Sequence, residues 1–231
     1  MIKNYKGCDL TVFMLNVGEH PIIFKTIPRL RALLPKHEIV IWNNGCAKSH
    51  ADVIRPLADV FIDCTHNMWT SKGFGFGILY LEYKYLMITA PDIIIPENFW
   101  SLVLRQFEDP QVGYVGEIMK PVDIGSSYDA DKDSMPDGFH VVKRECVNWA
   151  GSISPSFGLY GMDLTEWQFR ILDAGWKVRA IKTGIEHYGD GHTGVSQVIQ
   201  ETGKDEYEKG LDRSCKAYKR QRKNWWNYDI I

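Results

Sequence analysis

The sequence predicts an α/β fold, a single domain around a mixed, mainly parallel sheet, and three observations predict it. Strand-like and helix-like segments alternate over the first ~100 residues with short connections, the pattern that gives parallel strands covered by helices. The strand segments are continuous apolar runs, as strands buried on both faces require. At 231 residues and 45% hydrophobic content the chain can bury a substantial core.

Asp9–Leu15 is the first apolar run, and Asn16–Glu19 follows as a turn. From Pro21 onward Ile23, Ile27, Leu30 and Leu34 recur at helical spacing until Pro35 stops the pattern. His37–Trp42 is a second strand, closed by Asn43-Asn44-Gly45. A short helix from about Ser49 to Leu57 leads to a third strand, Val60–Cys64. The glycine-punctuated Lys72–Gly77 and a helix through Leu81 precede a fourth strand, whose run ends at Asp92. After a helix over Pro96–Phe107 the style changes. Gly113–Lys120 and Gly138–Arg144 read as strands, separated by Pro121–Asp137, too long and polar for a minimal turn. Gly161–Ala174 is an amphipathic helix, Trp176–Lys182 a strand, and Lys204–Asn224 a charged helical tail. No internal repeat or composition-marked linker divides the chain.

A formal net charge of -2 gives no global reason to expect nucleic acid or membrane binding. The five cysteines are scattered without a CxxC pair, so they read as reduced thiols, neither a disulfide frame nor a zinc site. The Met1–Lys6 segment is polar and lacks a signal-like apolar stretch, and no run approaches membrane-spanning length. A cytoplasmic location is the expectation.

Asp92 carries the first chemical argument. A lone acid at the end of a buried strand is costly to desolvate unless a cation, a hydrogen-bond donor or a substrate meets it. Strand ends in α/β sheets are also where ligands sit. The alternative is that Asp92 caps the helix starting near Pro96.

The order of motifs resembles a known set: Phe13–Glu19, Asn43–Gly45, Lys72–Gly75, Asp92, Gly138–Arg144, Tyr160–Arg170 leading to Asp173–Trp176, and Ile185–Tyr188. The chain is similar to glycosyltransferases of the GT-A fold, most of all the inverting family 2 enzymes, over roughly residues 9 to 195. The resemblance implies a Rossmann-like, nucleotide-sugar-binding half over residues 1–107 and a catalytic, acceptor-binding half over 108–203. Residues 204–231 form a basic helical tail outside it.

The implied partners are a nucleotide-diphosphate sugar donor and a glycan or other hydroxyl acceptor. A diphosphate leaving group concentrates negative charge, and its departure needs that charge stabilised. One cation at ~4 Å is worth about 4 kcal/mol at an effective dielectric of about 20. The family usually carries Asp-x-Asp after the fourth strand, but here the segment is Ala90-Pro91-Asp92, so only the second acid is present. Asp92, with His187, is implied to hold Mn²⁺ or Mg²⁺; His192 is a rival ligand. Asp163 and Glu166, three apart at a helix start, are the candidate general bases, Asp163 preferred. Glu166 can instead pair with Arg170. Asn16, Val17 and Glu19 would meet the donor's base or ribose, and Asn43 takes the place of an aspartate that reads the base. Lys72 and Gly73 would pass the phosphates or sugar, or Gly73 serves helix–strand packing.

Two further readings stand beside this one. A sugar nucleotidyltransferase would want a basic glycine-rich loop near the N-terminus, which Asn16–His20 does not supply. A non-catalytic nucleotide- or glycan-binding module finds support in Ala90. The basic stretch 213–223 can contact an anionic surface or be a solvated helix face.

Overall fold

The computed structural model describes residues 9–131, 134–155, 157, 163–188, 204–205, 208–213 and 215–216. β1 (Leu10–Asn16), β2 (Glu38–Asn44), β3 (Val60–Cys64) and β4 (Tyr85–Thr89) run parallel in the spatial order β3-β2-β1-β4. The sheet continues as β4-β8-β6-β9-β7, with β6 at Val112–Glu117, β7 at Ser127–Asp129, β8 at Asp137–Lys143 and β9 at Lys177–Ile181. β8 runs antiparallel to β4 and β6, and β7 antiparallel to β9. The mixed, mainly parallel sheet predicted from sequence is therefore present.

Side chains alternate across a strand, so one run serves two cores. Leu10, Val12 and Met14 of β1 pack with Ile23, Ile27 and Leu30 of α1 (Ile23–Leu33) and with Phe99 and Val103 of α4 (Phe99–Gln106). Phe13 and Leu15 face the other side. There they meet Ile78 of α3 (Trp69–Tyr80), Cys146 of α5 (Arg144–Ala150) and Trp167 of α6 (Asp163–Asp173). The remaining helix, α2 (Lys48–Ile54), runs into a 3₁₀ turn at Arg55–Leu57 beside β3.

Four features differ from expectation or go beyond it. The glycines of Lys72–Gly77 lie inside α3, where they let the helix approach β1. A Cβ on Gly73 would meet Leu15 Cδ1 at 2.5 Å, and one on Gly77 would meet Phe13 Cδ1 at 2.7 Å. Pro121–Asp137 contains β7, an exposed edge strand whose Ser-Tyr-Asp sequence gives no apolar signal. The short helix α5 was not foreseen. His187 does not end a strand of the main sheet; it lies on β10 (Glu186–His187), paired antiparallel with β5 (Ile93–Ile94) in a separate ladder.

The tail is helical where it is described, at 204–205, 208–213 and 215–216. Most of the 213–223 stretch, together with His192 and Gly161, lies outside the described residues. Among the described residues no helix is long and apolar enough to cross a membrane.

Candidate active site

The carboxyl ends of β1 and β2 bring Asn16 and Asn43 into register, both fully buried. Asn43 Nδ2 donates to Asp63 Oδ1 at 2.8 Å, and Arg55 holds the other oxygen at 2.7 Å. That amide, ahead of Arg55, keeps the Asp63 carboxyl below the usual carboxylate range despite some desolvation. Asn16 Nδ2 donates to Cys46 Sγ at 3.2 Å. The Oδ1 atoms of Asn16 and Asn43 are buried with no hydrogen-bond partner among the described residues. Val17, just beyond β1, lines a cavity of about 390 Å³. Asn16, Glu19, Asn43, Lys72 and Gly73 do not line it, and Glu19 and Lys72 are exposed.

Asp92 sits in the turn between β4 and β5. The β5–β10 ladder sets His187 opposite Ile93, and Tyr188 N donates to the Asp92 carbonyl at 2.9 Å. In consequence His187 Nε2 lies 3.2 Å from Asp92 Oδ2. Burial pushes the Asp92 carboxyl up, but His187, by hydrogen bond and by charge, holds it below the usual range. The same hydrogen bond raises the His187 imidazole above its ordinary value against the pull of desolvation. Asp92 does not cap α4, which begins at Phe99 with Asn98 before it. Its Oδ1 is buried without a hydrogen-bond partner among the described residues.

Asp163 is the first residue of α6 and only 5% exposed. Thr70 Oγ1 donates to its Oδ2 at 3.1 Å, and Leu164 N to its Oδ1 at 3.0 Å. Burial dominates these bonds and raises its carboxyl above the ordinary value. Thr70 follows Trp69, a non-glycine residue with φ of 66°, a left-handed conformation that costs about 1 kcal/mol. Glu166 faces elsewhere. It accepts two hydrogen bonds from Arg170, at 2.7 and 2.9 Å, and is not part of the cavity wall. Arg170 is held in turn by the carbonyls of Ala150 and Ser152.

Asp92, His187 and Asp163, drawn from three distant parts of the sequence, all line this cavity. His20, Asp137, His140 and Gln168 share its wall and were not singled out from sequence. Their signal was thin: His140 and Gln168 sit within the apolar runs Phe139–Val142 and Trp167–Phe169, where a polar residue has no periodic mark. His140 is buried, and burial pushes its imidazole down to about 4.

A divalent cation fits the donor set only in part. Among the described residues no group of three or more His, Cys, Asp or Glu could hold a metal. Asp92 and His187 nevertheless form an adjacent oxygen–nitrogen pair, and the unpartnered Asp92 Oδ1 leaves a lone carboxylate oxygen to satisfy. Mg²⁺-like ions are commonly held by one or two protein ligands, with waters and phosphate oxygens completing the shell.

No family model and no curated protein matches the chain. Solved structures do. A mannosyltransferase from Pyrobaculum calidifontis, PcManGT in complex with GDP-Man and Mn²⁺, is 15% identical with a TM-score of 0.60, the match covering 78% of this chain and 56% of that one. GalNAc-T7 with UDP, GalNAc and Mn²⁺ is 12% identical at a TM-score of 0.61, covering 77% and 43%. Residues 1–349 of S. aureus TarS are 8% identical at 0.63, covering 84% and 64%. The chain thus spans 43% to 64% of the length of these three proteins. At such identities the likeness speaks to architecture, and the architecture of this chain is the GT-A fold.

Proposed function

We propose that this chain is a glycosyltransferase that moves a sugar from a nucleotide-diphosphate donor to an acceptor hydroxyl with inversion. The observation that carries the reading is the convergence of Asp92, His187 and buried Asp163 on one cavity at the carboxyl end of the sheet. Three solved relatives in fold support it: two hold Mn²⁺, one with GDP-Man and one with UDP and GalNAc. Residues 1–107 would bind the nucleotide and 108–203 the acceptor.

Asp163 is the base. Its raised affinity for protons suits it to take the acceptor hydroxyl's proton as that oxygen attacks the anomeric carbon. The new carbon–oxygen bond forms on one face of the sugar while the bond to the diphosphate breaks on the other. Thr70 and the start of α6 fix the carboxylate's orientation. Glu166, engaged by Arg170, holds the helix and not the substrate. Asp92 and His187 would hold Mn²⁺ or Mg²⁺, which when bound neutralises charge on the departing diphosphate. Val17 would flank the nucleotide, with Asn16, Glu19, Asn43, Lys72 and Gly73 behind or beside it.

Ala90 favours one other reading, a module that binds a nucleotide or glycan without turnover. A screen across common nucleotide sugars with Mn²⁺, read by release of free nucleoside diphosphate, decides. Release that depends on Asp163 supports transfer. Binding without any release supports the module.

A further inference from the structure

Three buried residues on three elements form a hydrogen-bond relay with a fixed sense. The Pro136 carbonyl can only accept, so the Gln168 group 3.0 Å from it is the amide nitrogen. That nitrogen also donates to Tyr114 Oη at 2.7 Å. Tyr114 has one proton to give, and its other close partner is His140 Nδ1. With Nδ1 accepting, a neutral His140 carries its proton on Nε2. The Asp137 carboxylate stands 3.8 Å from that Nε2, beyond hydrogen-bond reach. At the other end of the relay Gln168 Oε1 is buried with no hydrogen-bond partner among the described residues.

Both residues that carry these ends line the cavity, and both are buried: Gln168 is 1% exposed and His140 4%. Folded proteins leave few buried polar atoms unpaired, and those that remain call for an explanation. Here a donor and an acceptor, each locked in direction by the residues behind it, belong to two residues that line one cavity. A hydroxyl answers both, because it accepts with its oxygen and donates with its proton.

We propose that His140 and Gln168 form a hydroxyl-reading subsite, in which one sugar hydroxyl accepts from His140 Nε2 and donates to Gln168 Oε1. The assignment rests on the sugar-transfer reading and deepens it, naming a specificity element on β8 and α6 apart from Asp92, His187 and Asp163. Tyr114 is a positioning residue: it touches no ligand and sets the direction of both ends.

The test is calorimetric titration of the full chain with Mn²⁺ against UDP, GDP, UDP-glucose, UDP-N-acetylglucosamine, GDP-mannose and methyl hexosides. Monodeoxy analogues of whichever sugar binds follow. The wild-type chain should lose about 10- to 100-fold in affinity for one deoxy position, since a buried polar pair is then left unmatched. Gln168→Met should bind the parent sugar as weakly as that, yet bind the deoxy analogue no worse than the parent. Coupling seen with a nucleotide sugar assigns the hydroxyl to the donor, and coupling seen with a methyl hexoside assigns it to the acceptor. His140→Gln serves as a second variant, and thermal melts check folding of both. Should neither variant fold, the deoxy series on the wild-type chain still decides: equal affinity for every analogue overturns the subsite. Sugar binding that ignores Gln168 while UDP or GDP binds normally overturns the subsite alone. Failure of every compound to bind overturns it together with the sugar-transfer reading.

Discussion

His187 Nε2 and Asp92 Oδ2 lie 3.2 Å apart although 95 residues separate them in sequence. Two residues of strand do this. The β5–β10 ladder has only two paired positions, Glu186 with Ile94 and His187 with Ile93, and it is antiparallel, so it folds the end of β9's connection back over the turn after β4. The pair is a product of that minor ladder and not of the main sheet.

If the pair holds a cation beside a diphosphate, its removal should be felt in metal-dependent binding. Asp92→Asn and His187→Ala are each expected to weaken binding of UDP or GDP at least ~10-fold in the presence of Mn²⁺. Without Mn²⁺ the variants should match the wild-type chain. Calorimetry with and without the ion reads this directly, and an unchanged Mn²⁺ dependence in both variants removes the pair from cation binding.

Asp163→Asn should retain donor binding and lose about 10²- to 10⁴-fold in turnover, the span typical of a general base. The base acts ionised, and burial raises its carboxyl above the ordinary value. Turnover in the wild-type chain should therefore rise with pH along a limb displaced upward from the ordinary carboxylate range. A pH–rate profile that stays flat down to the ordinary carboxylate range would count against Asp163.

Glu117 makes a separate claim on the site. Its fully buried carboxylate accepts from Thr183 N at 3.0 Å, Thr183 Oγ1 at 2.5 Å and Gly184 N at 3.4 Å, with Lys182 Nζ at 3.3 Å. These bonds anchor the turn that leads into β10. Glu117→Gln should cost about 2–3 kcal/mol of stability, because an amide cannot accept at both ends. It should also lower Mn²⁺ affinity through His187. Denaturant melts and Mn²⁺ titration check the two effects, and a loss of stability with unaltered Mn²⁺ affinity would confine Glu117 to folding.

The parallel half of the fold was legible because its strands carry short apolar runs bounded by turn residues. β1, β2 and β4 are buried at every position, as strands covered on both faces are. β7 and β10 were not legible. Each is two or three exposed residues whose pairing is set by neighbours far along the chain. Of the site, Asp92 could be picked out as a lone acid ending an apolar run, whereas His187 and Asp163 were reached through the resemblance to GT-A glycosyltransferases. Gln168 and His140 could not, since their role depends on a relay through Tyr114 that only the packed sheet creates. At Lys72–Gly77 two readings were open, passage of phosphates or sugar and helix–strand packing, and the glycines serve the close approach of α3 to Phe13 and Leu15.

The raised Asp163 carboxyl has a thermodynamic consequence of definite sign. A group whose folded value lies above its unfolded one favours the fold when protonated, and that contribution is lost as pH rises through the folded value. At neutral pH the ionised Asp163 therefore weakens the fold. Asp163→Asn should melt higher than wild type at pH 7, and the gap should close as pH falls below the ordinary carboxylate value. A variant that melts lower at pH 7 would mean that Thr70 and the start of α6 stabilise the anion more than burial penalises it.

Glu166 offers the contrasting case. Its carboxylate is 2% exposed and bound twice by Arg170, whose remaining donors reach the carbonyls of Ala150 and Ser152. Removing one partner of a buried pair strands the other charge, at a cost of about 3–5 kcal/mol. Glu166→Gln should therefore fall in stability by about that amount, softened by the carbonyls that still hold Arg170, while turnover of the folded fraction stays within a few-fold of wild type. Kinetics normalised to folded protein separate the two roles. A stable Glu166→Gln with turnover down by orders of magnitude would transfer the proton-accepting role from Asp163 to Glu166.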